Sequence, residues 1–249
     1  MTQPGTDTDT DTDTDTEPQS ETAQQHGHGR GHQHAHDSEH EADTTDEQFW
    51  DDRYASSQRV WSGNPNTALA RELADLIPGS ALDLGCGEGG DAIWLAGQGW
   101  RVTAVDISQV ALDRAAAHAA EAGVGERIDW QRHDLGVSFP AGAFDLVSAQ
   151  FLYFRGEASR EQTLRAAAAA VAPGGVLLIE SHSGFPAWEN HGHAGMEFLP
   201  PEQILSSLHL PDGEWETLTC REHERIQNAP DGRPTTRTDS TVKLRRAAG

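Results

Sequence analysis

Three carboxylates are spaced to suit the hydroxyl and amine edges of a nucleoside: Asp83, Asp106 and Asp134. Ala81-Leu82-Asp83-Leu84 reads as a short buried strand, and a turn follows at once, Gly85-Cys86-Gly87-Glu88-Gly89-Gly90. Glycine is needed there because the turn takes backbone angles that a Cβ forbids, and a ligand must reach the main chain itself. Asp106, 21 residues after Gly85, ends a second strand that begins at Arg101. A carboxylate at that tip, next to Ile107, can accept from both hydroxyls of a ribose. Hydrogen bonds to an ionised acceptor are roughly twice as strong as neutral ones. Asp134 closes the next candidate strand, 128–133, where it can meet an adenine amine while the Leu135 N–H meets a ring nitrogen. Acids at successive strand ends suit an adenosine without phosphates.

Glu88 supports that reading. A dinucleotide site uses G-x-G-x-x-G and seats a pyrophosphate on the helix N-terminus. An anion inside the turn repels a phosphate but tolerates a cationic amino acid on a sulfonium. The ligand implied is S-adenosylmethionine, with a nicotinamide or flavin as the alternative.

These residues need a frame of alternating strands and helices. Leu69, Leu73, Leu76 and Ile77 recur at helical period and predict a helix over 66–77, stopped by Pro78-Gly79. Further helices are expected at 89–98, at 109–122 with Ser108 as N-cap, at 159–172 closed by Pro173-Gly174-Gly175, and from Pro200 to about 209. Strands are expected at 143–150 and 176–180, the latter apolar throughout as a buried parallel strand is. Alternation over 214–224 and 236–246 predicts a final hairpin.

Residues 81–182 resemble the class I S-adenosylmethionine-dependent methyltransferases in ALDLGCGEGG (81–90), VTAVDIS (102–108), HDL (133–135), FDLVSAQFLYF (144–154) and VAPGGVLLIESH (171–182). Phe49 to Tyr54 with Trp61 to Asn66 is similar to the leading segment of the tellurite-resistance and thiopurine-methyltransferase-like groups. The resemblance implies an α/β fold: a Rossmann-like seven-stranded, mostly parallel sheet with an antiparallel terminal hairpin and helices on both faces. It also implies a cofactor cleft at the C-terminal ends of the strands. There Gly85 and Gly87 approach the methionine part, and Asp83 orients the loop or merely satisfies the turn. Gln150 sits near the methyl or the amine. Apart from the resemblance, Trp50, Arg53, Tyr54 and Trp61 form an aromatic–cationic group in which Arg53 and Tyr54 can hold the cofactor carboxylate while a Trp stacks near the sulfonium, unless the group simply lids the core.

The expected reaction is an in-line methyl transfer to a small-molecule acceptor. No acid–histidine pair stands out, which favours a soft or already anionic acceptor, a thiol or a metalloid anion. No residue is assigned as catalytic. His182, His191 and His193 follow the fifth strand, where one of them can serve as a base, although a solvated histidine is the commoner case. Tyr153, Phe154 and Arg155 lie where this fold presents groups to the acceptor. A non-catalytic cofactor- or metal-binding module is the other reading, followed by a nicotinamide-dependent oxidoreductase.

Composition sets the limits. Of the net charge of −22, thirteen acids and one arginine put −12 on residues 1–47, leaving −10 on 48–249. Without a basic stripe, a nucleic-acid substrate is not expected. Residues 1–47 alternate Thr and Asp, then Gly, Gln and His, with almost nothing apolar to offset the entropy of ordering, and read as a disordered acidic tail. Six histidines between His26 and His40 suggest weak divalent-metal binding. Residues 48–249 are expected to form the methyltransferase domain that the resemblance implies. Two cysteines, no signal-peptide pattern and no apolar run of membrane length point to the cytoplasm.

Overall fold

The computed structural model describes residues 45–153, 157–185, 198–229 and 231–249. The acidic and His-rich tail lies outside the described residues except for its last three, as do Phe154, Arg155, His191 and His193. The chain runs α1 (Asp46–Ala55), α2 (Thr67–Glu72), β1 (Ser80–Leu84), α3 (Gly90–Gly97), β2 (Arg101–Asp106), α4 (Gln109–Glu121), β3 (Ile128–Arg132), β4 (Phe144–Gln150), α5 (Glu157–Ala169), β5 (Val171–His182), α6 (Pro201–Ser207), β6 (Trp215–Asn228) and β7 (Pro234–Arg246). One seven-stranded sheet has the order β3-β2-β1-β4-β5-β7-β6. The pairs β1–β2, β2–β3, β1–β4 and β4–β5 are parallel, and β7 runs antiparallel to both β5 and β6. This is the expected mostly parallel sheet with an antiparallel terminal hairpin.

Both faces are covered, because strand side chains alternate. Leu82, Leu84, Val147, Ala149, Leu177 and Ile179 pack against Leu164, Ala167 and Ala168 of α5 and Ile204 of α6. Ala81, Leu146, Val176, Leu178, Val102 and Ala104 pack against Leu69 of α2, Ala92, Leu95 and Ala96 of α3 and Leu112 of α4. By the same parity, Asp83, Ser148, Gln150, Glu180 and His182 lie on this second face. The apolar covering gives way to polar side chains at the C-terminal ends of the strands.

Some boundaries differ from expectation. The sequence predicts a first helix to residue 77, but α2 stops at Glu72, whose carbonyl accepts from Lys243 of β7. Ile77 is 89% exposed, so the last member of the periodic set packs on nothing. The helix expected to close at 173–175 ends at Ala169, and Val171 already begins β5. Gly175 sits instead at a bulge between Phe144 and Leu146 of the partner strand. A Cβ there would lie 2.9 Å from the Ala172 and Phe144 carbonyl oxygens and 3.0 Å from that of Asp145, so only glycine fits. The hairpin arms are longer than the alternation suggests, and β6 runs on to Asn228. No helix among the described residues is long and apolar enough to cross a membrane.

Candidate functional site

β1 delivers the chain into a turn in which Gly85 (φ 71°) and Gly87 (φ 53°) are left-handed. The N–H groups of Gly85 and Cys86 donate to the Val105 carbonyl at 2.8 and 2.9 Å, fastening the turn to β2. Asp106, the last residue of β2, completes the fastening. Its carboxylate accepts from Gly87 N–H at 2.8 Å and from Ser108 N–H at 3.0 Å. It is 8% exposed. Burial pushes its carboxyl above the ordinary range against the pull of the Ser108, Gly87 and Ile107 N–H groups. A carboxylate has about four acceptor positions, so lone pairs remain for ligand hydroxyls. Ser108 then caps α4 as expected, its hydroxyl accepting from Ala111 N–H at 3.1 Å.

A strap closes over the turn. The Ser108 hydroxyl donates to Asp51, which docks α1 on the start of α4. The buried Tyr54 hydroxyl accepts from Trp61 Nε1 at 3.0 Å. A Cβ on Gly87 would lie 2.9 Å from that hydroxyl and 3.3 Å from the Trp61 ring, so the close approach here is made by the protein's own aromatics. Arg53 is exposed, with its guanidinium 5.8 Å from the Trp50 ring centroid and 5.5 Å from that of Trp61. Trp50 also meets the ring of Tyr153, beyond β4, edge-on at 5.8 Å. The strap thus spans from the turn to the end of β4.

Glu88 has a role that the sequence conceals. It is 3% exposed. Its carboxylate accepts from Val60 N–H at 2.9 Å, Trp61 N–H at 3.0 Å and Arg114 at 3.0 Å. Burial pushes this carboxyl up, but the bonds from Trp61, Arg114 and Val60 together outweigh it and hold the group below the usual range. The charge expected to select a cationic ligand is therefore spent on holding the strap.

Among the described residues three buried side-chain oxygens lack a hydrogen-bond partner, Asp83 Oδ2, Gln150 Oε1 and the Ser181 hydroxyl, and the first two stand beside the turn. Those two share a sheet face, since Asp83 pairs in register with Ser148, whose hydroxyl accepts from Gln150 Nε2 at 3.1 Å. Burial and the neighbouring charges of Asp91 and Asp106 push the Asp83 carboxyl well up. An unsatisfied buried acceptor costs about 1–3 kcal/mol, so this pair calls for a donor. Asp134 lies two residues past the end of β3 and is exposed, its side chain accepting from Gly136 N–H at 2.9 Å. Leu135 is half-buried, and its carbonyl accepts from the Thr163 hydroxyl at 3.3 Å. Tyr54, Trp61, Gly85, Gly87, Asp106 and Ile107 thus gather at the turn. Asp83 and Gln150 line the adjoining strands, Asp134 and Leu135 flank the end of β3, and Arg53 stands outside on the strap.

Sequence reasoning names His182 but misses the partners gathered with it at the end of β5. There His182 meets Asp239, and His223 meets Glu180. The partners stand 57 and 43 residues apart, so no local spacing signals them.

Comparison with known proteins bears on the family and the fold. Residues 81–175 match the family model described as a methyltransferase domain. Over 88 residues, 32% of this chain, the sequence is 39% identical to nocamycin O-methyltransferase of Saccharothrix syringae, of which it covers 31%. The curated relatives matched are spanned over about a quarter to a half of their length. A solved structure that concerns conversion of a disulfide bond into a thioacetal group during echinomycin biosynthesis superposes with a TM-score of 0.65 at 24% identity, covering 82% of this chain and 93% of that one. TehB from Haemophilus influenzae superposes with a TM-score of 0.60 at 15% identity, covering 80% and 67% respectively. Residues 81–175 are thus a methyltransferase domain, set in the fold of the class I S-adenosylmethionine-dependent methyltransferases.

Proposed function

We propose that this protein transfers a methyl group from S-adenosyl-L-methionine to a small-molecule acceptor by in-line displacement. The observation that carries this reading is the pair of orphaned acceptors, Asp83 Oδ2 and Gln150 Oε1, next to a left-handed glycine turn. A ligand bearing an ammonium supplies the missing donors, and its positive charge offsets the cost of ionising Asp83. Asp106 and Ile107 take the ribose. Asp134 and Leu135 take the adenine. Gly85 and Gly87 face the methionine part, with Tyr54 and Trp61 closing over it and Arg53 at its carboxylate. When bound, the cofactor supplies a methyl group on positive sulfur, so the protein mainly orients the partners and excludes water.

The sequence favours a thiol or metalloid anion because no acid–histidine pair is legible in it. With His182 held by Asp239, acceptors that must first lose a proton come within reach, thiols included. The nocamycin relative is named an O-methyltransferase, and the echinomycin structure concerns conversion of a disulfide into a thioacetal. Oxygen and sulfur acceptors both suit this site. The setting proposed is cytoplasmic, in keeping with two free cysteines, Cys86 and Cys220.

S-adenosylhomocysteine is expected to raise the melting temperature while NADH leaves it unchanged; the reverse result removes the reading. A sharper signature is proton release. Asp83 is held protonated above the ordinary carboxylate range by burial and its acidic neighbours, and a bound ammonium favours its ionised form. Above the ordinary carboxylate range, binding therefore expels a proton. Calorimetric heats of binding should differ between phosphate and Tris in the sense of proton release. Identical heats in the two buffers would show that Asp83 does not face the ammonium.

A further inference from the structure

The sheet face that carries Gln150 continues into a cluster of titratable side chains. His182 Nδ1 lies 2.8 Å from Asp239 Oδ1, and Asp239 Oδ2 accepts from Arg225 Nε at 2.5 Å. Asp239 is fully buried, while the His182 side chain is 30% exposed. The imidazole stacks on the ring of Phe151, with centroids 4.4 Å apart and planes 28° apart, and Arg225 lies 5.4 Å from the centroid of that same ring. Phe151 directly follows Gln150 and takes a left-handed conformation, φ 52°, that non-glycine residues seldom adopt. A strained residue at the tip of β4 thus fixes the plane of a histidine beside the end of the cofactor cleft.

The electrostatics fix its protonation. Burial pulls the His182 pKa below its ordinary value, and Arg237 and Arg225 add to this, against the opposing pull of Asp239. Asp239 remains ionised, because the bonds from His182 and Arg225 outweigh its own burial. His223 and Glu180 also border the group, but they are committed to each other at 2.6 Å, and Glu180 takes the Thr241 hydroxyl at 2.6 Å as well. The ring therefore carries its proton on Nδ1, toward Asp239. Nε2 keeps a lone pair, and among the described residues it has no hydrogen-bond partner.

We propose that His182 is the general base of the methyl transfer and that the acceptor is a weakly acidic hydroxyl, phenolic or alcoholic, of a small molecule. This rests on the methyl-transfer reading above. The acceptor O–H proton passes to His182 Nε2. The freed oxygen pair forms the new O–CH3 bond while the S–CH3 bond breaks with its electrons left on sulfur. The imidazolium then releases its proton to water through its exposed edge. Asp239 is a positioning residue: it holds the tautomer and steadies the transient cation, and Arg225 keeps Asp239 in place.

The test uses the full chain. His182→Gln should bind S-adenosylhomocysteine with affinity within a factor of three of the unsubstituted protein, which shows that the fold survives. Histidine nitrogen NMR should find His182 as the Nδ1–H tautomer with a titration midpoint below that of exposed histidines. Asp239→Asn should scramble that tautomer. With labelled cofactor, His182→Gln should lose about 100- to 10,000-fold in transfer to a phenol panel, the usual share of a general base. Its loss with 4-nitrothiophenol, which is already ionised at neutral pH, should be at least tenfold smaller. Transfer by the unsubstituted protein to phenols should rise with pH through the NMR midpoint. Equal losses on both acceptors, an Nε2–H tautomer, or a protein that methylates the thiolate alone overturns the proposal. A protein that binds no S-adenosylhomocysteine, or binds it and methylates nothing, sinks the methyl-transfer reading and this inference with it.

Discussion

Asp106→Ala should weaken S-adenosylhomocysteine binding by at least about 100-fold, which is about 2.7 kcal/mol. It should also lower the unfolding free energy by about 2–4 kcal/mol. The binding loss has two sources. The ligand loses a charged acceptor for its ribose hydroxyls, and hydrogen bonds to charged groups contribute about 1.5–3 kcal/mol. The turn also loses its clasp, because Gly87 N–H and Ser108 N–H both donate to this carboxylate in a buried setting. That second loss accounts for the stability term. Asp106→Asn separates the two. The amide keeps one acceptor oxygen but sets an NH2 group against a backbone N–H and removes the charge, so it should fall between Asp and Ala in both measurements. Calorimetry and urea midpoints on the three proteins decide the matter. An alanine variant that binds within threefold of the parent would take Asp106 out of the ribose site.

What the sequence discloses follows from chain separation. The glycine turn, the acid at the tip of β2 and the Ser108 cap each depend on neighbours a few residues away, or on one strand–helix–strand unit. Their residue types therefore record their geometry. The mostly parallel sheet is legible through the family resemblance, and the terminal hairpin through that and its own alternation. What stays hidden depends on partners brought together by folding. Leu69, Leu73, Leu76 and Ile77 keep helical period past the point where the helix stops. It stops because Glu72 is claimed by Lys243, 171 residues on, and because the chain must turn at Pro78 to enter β1. Glu88 reads as a charge in a ligand turn until Val60 and Trp61 arrive from 28 and 27 residues upstream. The preference for a soft acceptor has the same origin. It rests on seeing no acid–histidine pair, and the pair His182–Asp239 forms only when β7 lies down beside β5.

Glu88→Ala should detach the strap, and its effects should appear in places that share no sequence. The carboxylate is the common acceptor for Val60, Trp61 and Arg114, and its side chain is 2% exposed. Removing one partner of a buried ion pair costs about 3–5 kcal/mol. Here Arg114 is 24% exposed and Trp61 46% exposed, so water recovers part of the loss and about 2–3 kcal/mol is expected. Trp61 then leaves Tyr54 and the face of Gly87, so cofactor affinity should fall roughly tenfold although Glu88 touches no ligand, since about 1.4 kcal/mol of docking is lost. The acid limb gives an independent check. A carboxyl held below its unfolded-state pKa contributes stability that is complete above that value and is lost as pH falls through the folded value. Stability of the parent should therefore drop more steeply than that of the alanine variant below the ordinary glutamate range, and the two curves should converge at low pH. Glu88→Gln keeps an acceptor for the Val60 and Trp61 N–H groups but not the charge for Arg114, so it should retain most of the cofactor affinity and lose the pH dependence. Proteolysis between α1 and α2 should be faster in the alanine variant than in either other protein. Equal cleavage rates, with unchanged Trp fluorescence, would show that the strap is held by its aromatics and not by Glu88.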